Sequence, residues 1–362
     1  MAGKLAKKVK WGVIGSGGIA RRRTIPEGIL PARNAELTAV YDLNSKVNTE
    51  VAREFGAHAA ETLDELLGCG VDVVYIASPP GKHLDQTVAC ARAGKNVLCE
   101  KPLGMTVAQA KDMIESCRQA GVYLGTAFMM RFQAQHQAAL GLIEQGKLGK
   151  PVFARAQLSC WYPPMPGAWR QNPKQGGGGS LMDMGGHCID LLEMFFGEVR
   201  AVNCVIHRAV HGYESEDSAV VTLLFANGAM GMVDVFFCIP DEASRNVLEL
   251  YGSQGSILSA ATIGQGERGE MVAHLKDGVS GYDAQQSRTA GGATPINPAP
   301  VNMYRAEIEE FSQALIEGRE PTINAWIGLH SQKVLAACYK SARLHRQVVV
   351  QEGEALSSSS FR

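Results

Sequence analysis

The chain lacks any cysteine pattern. Its nine cysteines are scattered over 362 residues, with no C-x-x-C pair and no Cys/His group at zinc spacing. That excludes a disulfide-stapled scaffold and a zinc finger or ribbon, and no metal is expected. An odd number of unpatterned thiols fits reduced, mostly buried cysteines in a cytoplasmic protein. A surplus of one charge sign is missing too. Thirty-five Lys and Arg face 36 Asp and Glu, for a net charge of -1, which leaves no electrostatic footprint for nucleic acid or an anionic membrane. No apolar run is long enough to span a bilayer, since the longest candidate, 219–239, is broken by Asn227-Gly228 and Asp234. The basic start (Lys4, Lys7, Lys8, Lys10) has no apolar segment behind it, so no secretory signal is expected. There is no internal repeat.

What is present is the composition of an ordinary globular protein, 46% hydrophobic and 20% charged, at a length that favours two domains. The first third alternates strand-like and helix-like segments. Strands are expected at 9–14, 36–41, 71–77, 96–99 and 122–127, with helices at 83–93 and from an N-cap at Thr106 to Ala120. This rhythm predicts a parallel, doubly wound sheet. From Pro151 onward strands follow one another. Thr222 to Phe237 reads as a hairpin, with Asn227-Gly228 supplying a type I′ turn. Further strands are expected at 246–251 and 256–258, loops with a short strand over 260–301, helices at 304–317 and 323–344, and a frayed tail from Gln351. The expectation is an α/β domain over 1–127. An α+β domain over 128–362 is built on a large, open, mainly antiparallel sheet.

Three motifs carry chemistry. Gly15-Ser16-Gly17-Gly18-Ile19-Ala20 follows the first strand and opens a helix, which is G-x-G-x-x-A. Gly15 allows the tight turn, Gly17 lets backbone approach a pyrophosphate, and Ala20 permits close helix–strand packing. Asp42 ends the second strand, where an acid can accept hydrogen bonds from a ribose and would repel a 2′-phosphate. The nearby Arg21, Arg22, Arg23 and Lys46 could accommodate such a phosphate or simply form a solvated face. The second motif is Glu100-Lys101-Pro102 at the end of the fourth strand. A Lys there is costly unless it meets an anion, a cofactor or a reacting group, and the Pro ends the strand and allows a cis bond. The third is the segment Leu181 to Phe196 behind the run Gly176 to Ser180. Read as a helix, it puts Asp183 and His187 on one face with Asp190 nearby, so a carboxylate could orient an imidazole acting as general base near neutral pH. The alternative is a surface i,i+4 pair. Before that helix, Trp161, Tyr162 and Trp169 stand in a Pro-stiffened loop ending at Arg170. Such a loop suits stacking on a sugar or aryl ring, internal packing or a subunit contact.

In this order the motifs resemble the Gfo/Idh/MocA family of glucose–fructose oxidoreductases, inositol dehydrogenases and relatives, over about 9–344. Within it the chain looks most like bacterial enzymes that make 3-oxo-glycosides from C- and O-glucosides. The resemblance implies a Rossmann domain followed by an open-sheet domain, an NAD cofactor and a homo-oligomer formed through the sheet. It implies Lys101 near the reacting carbinol, with Asp183 and His187 as acid and proton acceptor. Cofactor contacts are then expected from Gly15, Gly17, Gly18, Ile19, Asp42, Ser78, Pro79, His83, Glu100 and Lys101, with Ser78-Pro79-Pro80 and His83 forming the turn beneath the nicotinamide. Substrate contacts are expected from Lys101, Arg131, Tyr162, Trp169, Arg170, Asp183 and His187. The activity implied is NAD-dependent oxidation of a secondary hydroxyl, C3 of a glucoside. The alternatives are a redox-neutral NAD-dependent glycoside hydrolase, an inositol or simple sugar dehydrogenase, a non-catalytic NAD- or sugar-sensing regulator and, on fold alone, a biliverdin-type or imine reductase.

Overall fold

The computed structural model describes residues 8–276, 282, 284 and 292–350; the tail expected to fray lies outside them, as does part of the 260–301 loop. The first sheet contains β1 (Val9–Ile14), β2 (Ala35–Tyr41), β3 (His58–Ala59), β4 (Val73–Ile76), β5 (Asn96–Glu100) and β6 (Leu124–Ala127). Every pair in it is parallel, and the order is β3-β2-β1-β4-β5-β6. The continuous apolar strands expected from sequence are those covered on both faces, and β4 is buried throughout. The strand order reverses between β1 and β4, which opens a crevice at the carboxyl ends of the strands. The crossover helix Val107–Ala120 starts on Thr106, whose hydroxyl accepts from Gln109 N at 3.2 Å. The segment after β1, Ala20–Ile29, is a π-type helix containing Pro26, with Leu30 N donating to Ile25 O.

The second sheet contains β7 (Pro151–Ser159), β8 (Val199–His207), β9 (Ser218–Phe225), β10 (Met230–Phe236), β11 (Val247–Gly252), β12 (Gly255–Ala260), β13 (Glu270–Leu275), β14 (Thr294–Pro295) and β15 (Val348–Val349). Its order is β14-β13-β12-β11-β7-β10-β9-β8-β15. It is antiparallel except for β7 against β10. One face packs on the helix Gly186–Phe196. The other carries Phe153 beside Tyr251 and Arg155 bonded to Asp234 at 3.0 Å, with Met230 and Val205 exposed.

The β9–β10 hairpin forms where expected, but its turn is of another type. Gly228 alone has positive φ (+87°), and its N–H donates to Phe225 O at 3.0 Å. Ala226-Asn227 therefore make a type I turn closed by a left-handed glycine. The Asn227 side chain reaches Phe196 O and Ala229 N instead of taking the I′ conformation.

The helix Met303–Glu317 returns to the first sheet, where Trp11 donates to Ser312 Oγ at 3.0 Å and meets Phe311 edge-on. The helix Ala325–Leu344 joins both cores. Ala325 and Leu329 are buried in the first, and Val334, Leu335 and Cys338 in the second. A single rigid helix thereby fixes the two sheets relative to one another, and the site lies where they meet.

Candidate active site

The loop after β1 is shaped by what cannot be added to it. Gly15 sits at φ +75°, and a Cβ there would lie 2.6 Å from Ser78 N. The chain before Ser78 can approach only because that atom is missing. Among the described residues, nothing lies in front of Gly18, and Ser16 Oγ is buried with no partner. Asp42 lies against the same loop, its Oδ2 accepting from Gly17 N at 3.2 Å and its Oδ1 from Asn44 N at 2.9 Å. Arg21 is held by Glu50 and Glu54, and Arg23 by Glu27, so two of the three arginines are committed to carboxylates. Arg22 donates to Gly18 O. An amide-lined cradle, an orphaned hydroxyl and an acid at the end of β2 fit a dinucleotide.

At the end of β5 the Lys101–Pro102 bond is cis. Lys101 Nζ crosses from the first unit to the second, bonding Asp183 Oδ1 at 2.6 Å and Asp183 O at 3.0 Å. Asp183 Oδ2 meets Arg170 Nε at 3.0 Å. Burial alone would raise the Asp183 carboxyl, but Arg170 and Lys101 outweigh it and hold it below the usual carboxylate range. Behind Lys101, the buried hydroxyl of Tyr75 donates to Glu100 Oε1 and accepts from Thr24 Oγ1 at 3.0 Å. Burial pushes the Glu100 carboxyl up, against the pull of Lys101 and Tyr75. Tyr75 lies outside the sequence expectations, because a continuous apolar strand marks it only as core.

The pairing expected between Asp183 and His187 does not form. Leu181–Gly185 is a π turn and the α-helix begins at Gly186, so the four-residue spacing does not stack the two side chains as in a regular helix. Among the described residues His187 has no hydrogen-bond partner. Its Nδ1 is buried, and the ring packs edge-on against Phe128 at 6.1 Å. Burial, then Lys101, drives the His187 pKa well below its ordinary value, while Asp183 opposes them. The imidazole is therefore neutral throughout the physiological range.

Other expected residues fall elsewhere. Asp190 takes Arg131 on both carboxylate oxygens at 2.9 Å, so the Arg131 guanidinium is held by the helix Gly186–Phe196. Burial lifts Asp190 to about 6 although Arg131 pulls it down. His83 is wholly buried, with Nδ1 3.0 Å from Pro102 O and Nε2 2.9 Å from Ser78 O. It ties the Ser78-Pro79 turn to the Lys101-Pro102 loop from behind and offers no surface to a cofactor. Ser78 Oγ donates to Gln86.

The aromatic loop divides. Trp161 bridges to Cys238 with Tyr162 next in line, so the two rings point to opposite sides. Trp161 leans on His211, with centroids 4.9 Å apart. Tyr162 packs on Phe237 and contacts Arg170. Trp169 is covered by the Arg170 guanidinium, 4.1 Å from its ring centroid. Two cations, one carboxylate and one neutral imidazole thus converge beside the dinucleotide cradle. This set can stabilise an alkoxide and move one proton.

Comparison with known proteins agrees with this geometry. Residues 9–128 match the family model described as "Oxidoreductase family, NAD-binding Rossmann fold", and residues 136–258 match "GFO/IDH/MocA C-terminal domain". The chain is 29% identical over 348 residues to 1,5-anhydro-D-fructose reductase of Ensifer adhaerens, covering 95% of this chain and 99% of that one. It is 30% identical over 251 residues to trans-1,2-dihydrobenzene-1,2-diol dehydrogenase of Mus musculus, covering 68% and 73%. Among solved structures, aldose-aldose oxidoreductase from Caulobacter crescentus in complex with glycerol superposes with a TM-score of 0.84 at 28% identity, over 95% and 100% of the chains.

Proposed function

The chain belongs to the GFO/IDH/MocA oxidoreductase family and is an NAD-binding oxidoreductase, and on that premise we propose that it interconverts a secondary hydroxyl and a ketone on a sugar or glycoside, C3 of a glucoside in the oxidative direction. The observation that carries this is the Lys101–Asp183 contact of 2.6 Å, with neutral His187 beside it. Residues 1–127 supply the cofactor side and 128–362 the substrate side. Gly15, Gly17, Gly18 and Ile19 would hold the pyrophosphate, and Asp42 the ribose.

Bound NAD supplies the two-electron chemistry. Lys101 Nζ donates a charge-assisted hydrogen bond to the substrate oxygen as it gains alkoxide character. His187 Nε2 accepts the hydroxyl proton, since Nδ1 is buried without a partner among the described residues. Asp183 holds Lys101 and Arg170 in place and balances one of their charges. Tyr162 and Arg170 line the substrate side, and Trp169 backs the guanidinium. Phe128 shields the imidazole from water. A second reading, the reduction of a 1,5-anhydro-ketose, is favoured by the near full-length likeness to the Ensifer protein. Both use the same equilibrium. The open face of the second sheet, with Phe153, Met230 and Val205, would join copies of the chain, and analytical ultracentrifugation tests this.

The test is a panel with NAD(H): methyl and p-nitrophenyl β-D-glucopyranoside, D-glucose, myo-inositol and 1,5-anhydro-D-fructose, followed by NADH absorbance and product mass. NADH formation with a product lighter by two hydrogens supports glycoside oxidation. NADH consumption on 1,5-anhydro-D-fructose alone selects the second reading. Free sugar without net NADH means redox-neutral hydrolysis. Lys101→Ala and His187→Ala should each lower kcat by about two orders of magnitude with NAD affinity little changed. Retained activity in either folded variant removes that residue from the mechanism.

A further inference from the structure

Among the described residues the helix that carries Asp183 and His187 has no side-chain cap of its own, since Ser180 makes none and its hydroxyl is buried without a partner. Three successive amides leading into it, those of Gly179, Ser180 and Leu181, nevertheless end on one residue from another element. Glu216, just before β9 and 7% exposed, accepts at Oε1 from Gly179 N (2.8 Å) and Leu181 N (3.1 Å). Its backbone O accepts from Ser180 N at 3.0 Å. The same Oε1 also accepts from the Tyr339 hydroxyl at 2.8 Å. Tyr339 belongs to the helix Ala325–Leu344, which spans both cores. The carboxylate therefore sits on the positive end of the catalytic helix and is held there from a third element. The fit is close enough to need glycine, because a Cβ on Gly178 would lie 1.8 Å from Tyr339 Oη.

One turn along, Asp183 N donates to Gly179 O at 3.0 Å, so the clamped residues directly set where the Asp183 carboxylate meets Lys101 and Arg170. We infer that Glu216, tethered by Tyr339, is a positioning residue for the redox step: it fixes the turn bearing Asp183 and His187 at its working distance from Lys101. This rests on the assignment of Lys101, Asp183 and His187 as the reacting site. Among the described residues the Glu216 carboxylate hydrogen-bonds to Gly179, Leu181 and Tyr339, none of them in the cradle, and it acts through the helix.

The test compares wild type with Glu216→Ala, Glu216→Gln, Tyr339→Phe and Lys101→Ala. The reaction is 1,5-anhydro-D-fructose reduction by NADH, or methyl β-D-glucopyranoside oxidation by NAD where that is faster. The readouts are kcat, the primary deuterium isotope effect, NADH Kd by fluorescence, and amide exchange over 178–187. For Glu216→Ala, kcat should fall by about 10- to 100-fold, the range expected for losing charge-assisted hydrogen bonds that hold a reacting group. The isotope effect should rise, amide exchange should quicken and NADH Kd should stay constant. Glu216→Gln should recover most of the loss, and Tyr339→Phe should lie between. The isotope effect is the same however much protein is folded. A fall in activity that matches lost folded protein, with an unchanged isotope effect, makes Glu216 merely structural and overturns the inference. If Glu216→Ala does not fold, Glu216→Gln and Tyr339→Phe decide: both at wild-type kcat and isotope effect would sink it. Lys101→Ala separates the two levels. Its retained turnover removes the underlying assignment, whereas its loss alongside wild-type clamp variants removes this inference alone.

Discussion

Replacing Asp183 with Asn removes one buried negative charge and keeps the shape and one acceptor oxygen. In the folded protein that charge faces Lys101 Nζ at 2.6 Å and Arg170 Nε at 3.0 Å. Each contact is worth about 6 kcal/mol of attraction at an effective dielectric of about 20. Burying three charges offsets much of this, and Arg170 is partly open to water, with 30% of its side chain exposed. The net cost of breaking such a site by removing one partner is about 3 to 5 kcal/mol. The amide still accepts from Lys101, so the lower end applies to stability, and losing the charge-assisted contact that holds Lys101 should lower kcat/KM by roughly a hundredfold. The assay is kcat/KM for the best panel sugar, with NADH Kd by fluorescence and Tm by calorimetry. The expected result is a hundredfold loss, unchanged NADH affinity and a lower Tm, since two cations are left facing each other. A folded Asp183→Asn variant within about threefold of wild type would refute the claim that this charge organises Lys101.

Four further outcomes follow from the structure. Asp42→Ala should narrow a preference for NAD over NADP by about tenfold, measured as kcat/KM for both cofactors, and equal NADP use by wild type would remove Asp42 from the ribose site. His136 is buried, and burial lowers its ring to about 4 against the pull of Met130 O. Its folded pKa is depressed, so this stability is present above about 6.5 and is lost as pH falls toward 4, reaching about 3 kcal/mol. Buried His187 and His83 act with the same sign, and urea midpoints between pH 7.5 and 5 check it. For the same reason the acid limb of activity from His187 should lie below the ordinary imidazole range, and a limb that survives His187→Gln would belong to another group. Gly178→Ala should cost about 1 to 3 kcal/mol through overpacking on Tyr339, measured by urea unfolding, and Tyr339→Phe should relieve part of it. Strict additivity of the two changes would contradict the close approach.

Much of the fold was legible because the signals are local. Apolar runs, the N-cap Thr106 and the glycines of the first turn are each readable within a few residues, and together they specify a parallel sheet with a dinucleotide cradle. Lys101, Asp183 and His187 could be picked out as residue types at suggestive places. Their partners could not. Spacing on an ideal helix paired Asp183 with His187, but a π turn and two cations from distant segments redirected the carboxylate. Arg131 looked available until Asp190 claimed it, and His83 looked like a cofactor contact until burial turned it inward. Asn227-Gly228 marked the hairpin, yet the reach of Asn227 to Phe196 chose the turn type.

The sequence by itself determined which segments become strands and helices, and which chemical groups are present, because those depend on local sterics and periodicity. Only the tertiary structure decided which charge meets which, which imidazole is dry, and that Glu216, 33 residues beyond Asp183 in the chain, caps its helix. Electrostatic pairing and burial depend on distances in space, and those are set only when the two sheets and the helix Ala325–Leu344 have packed together.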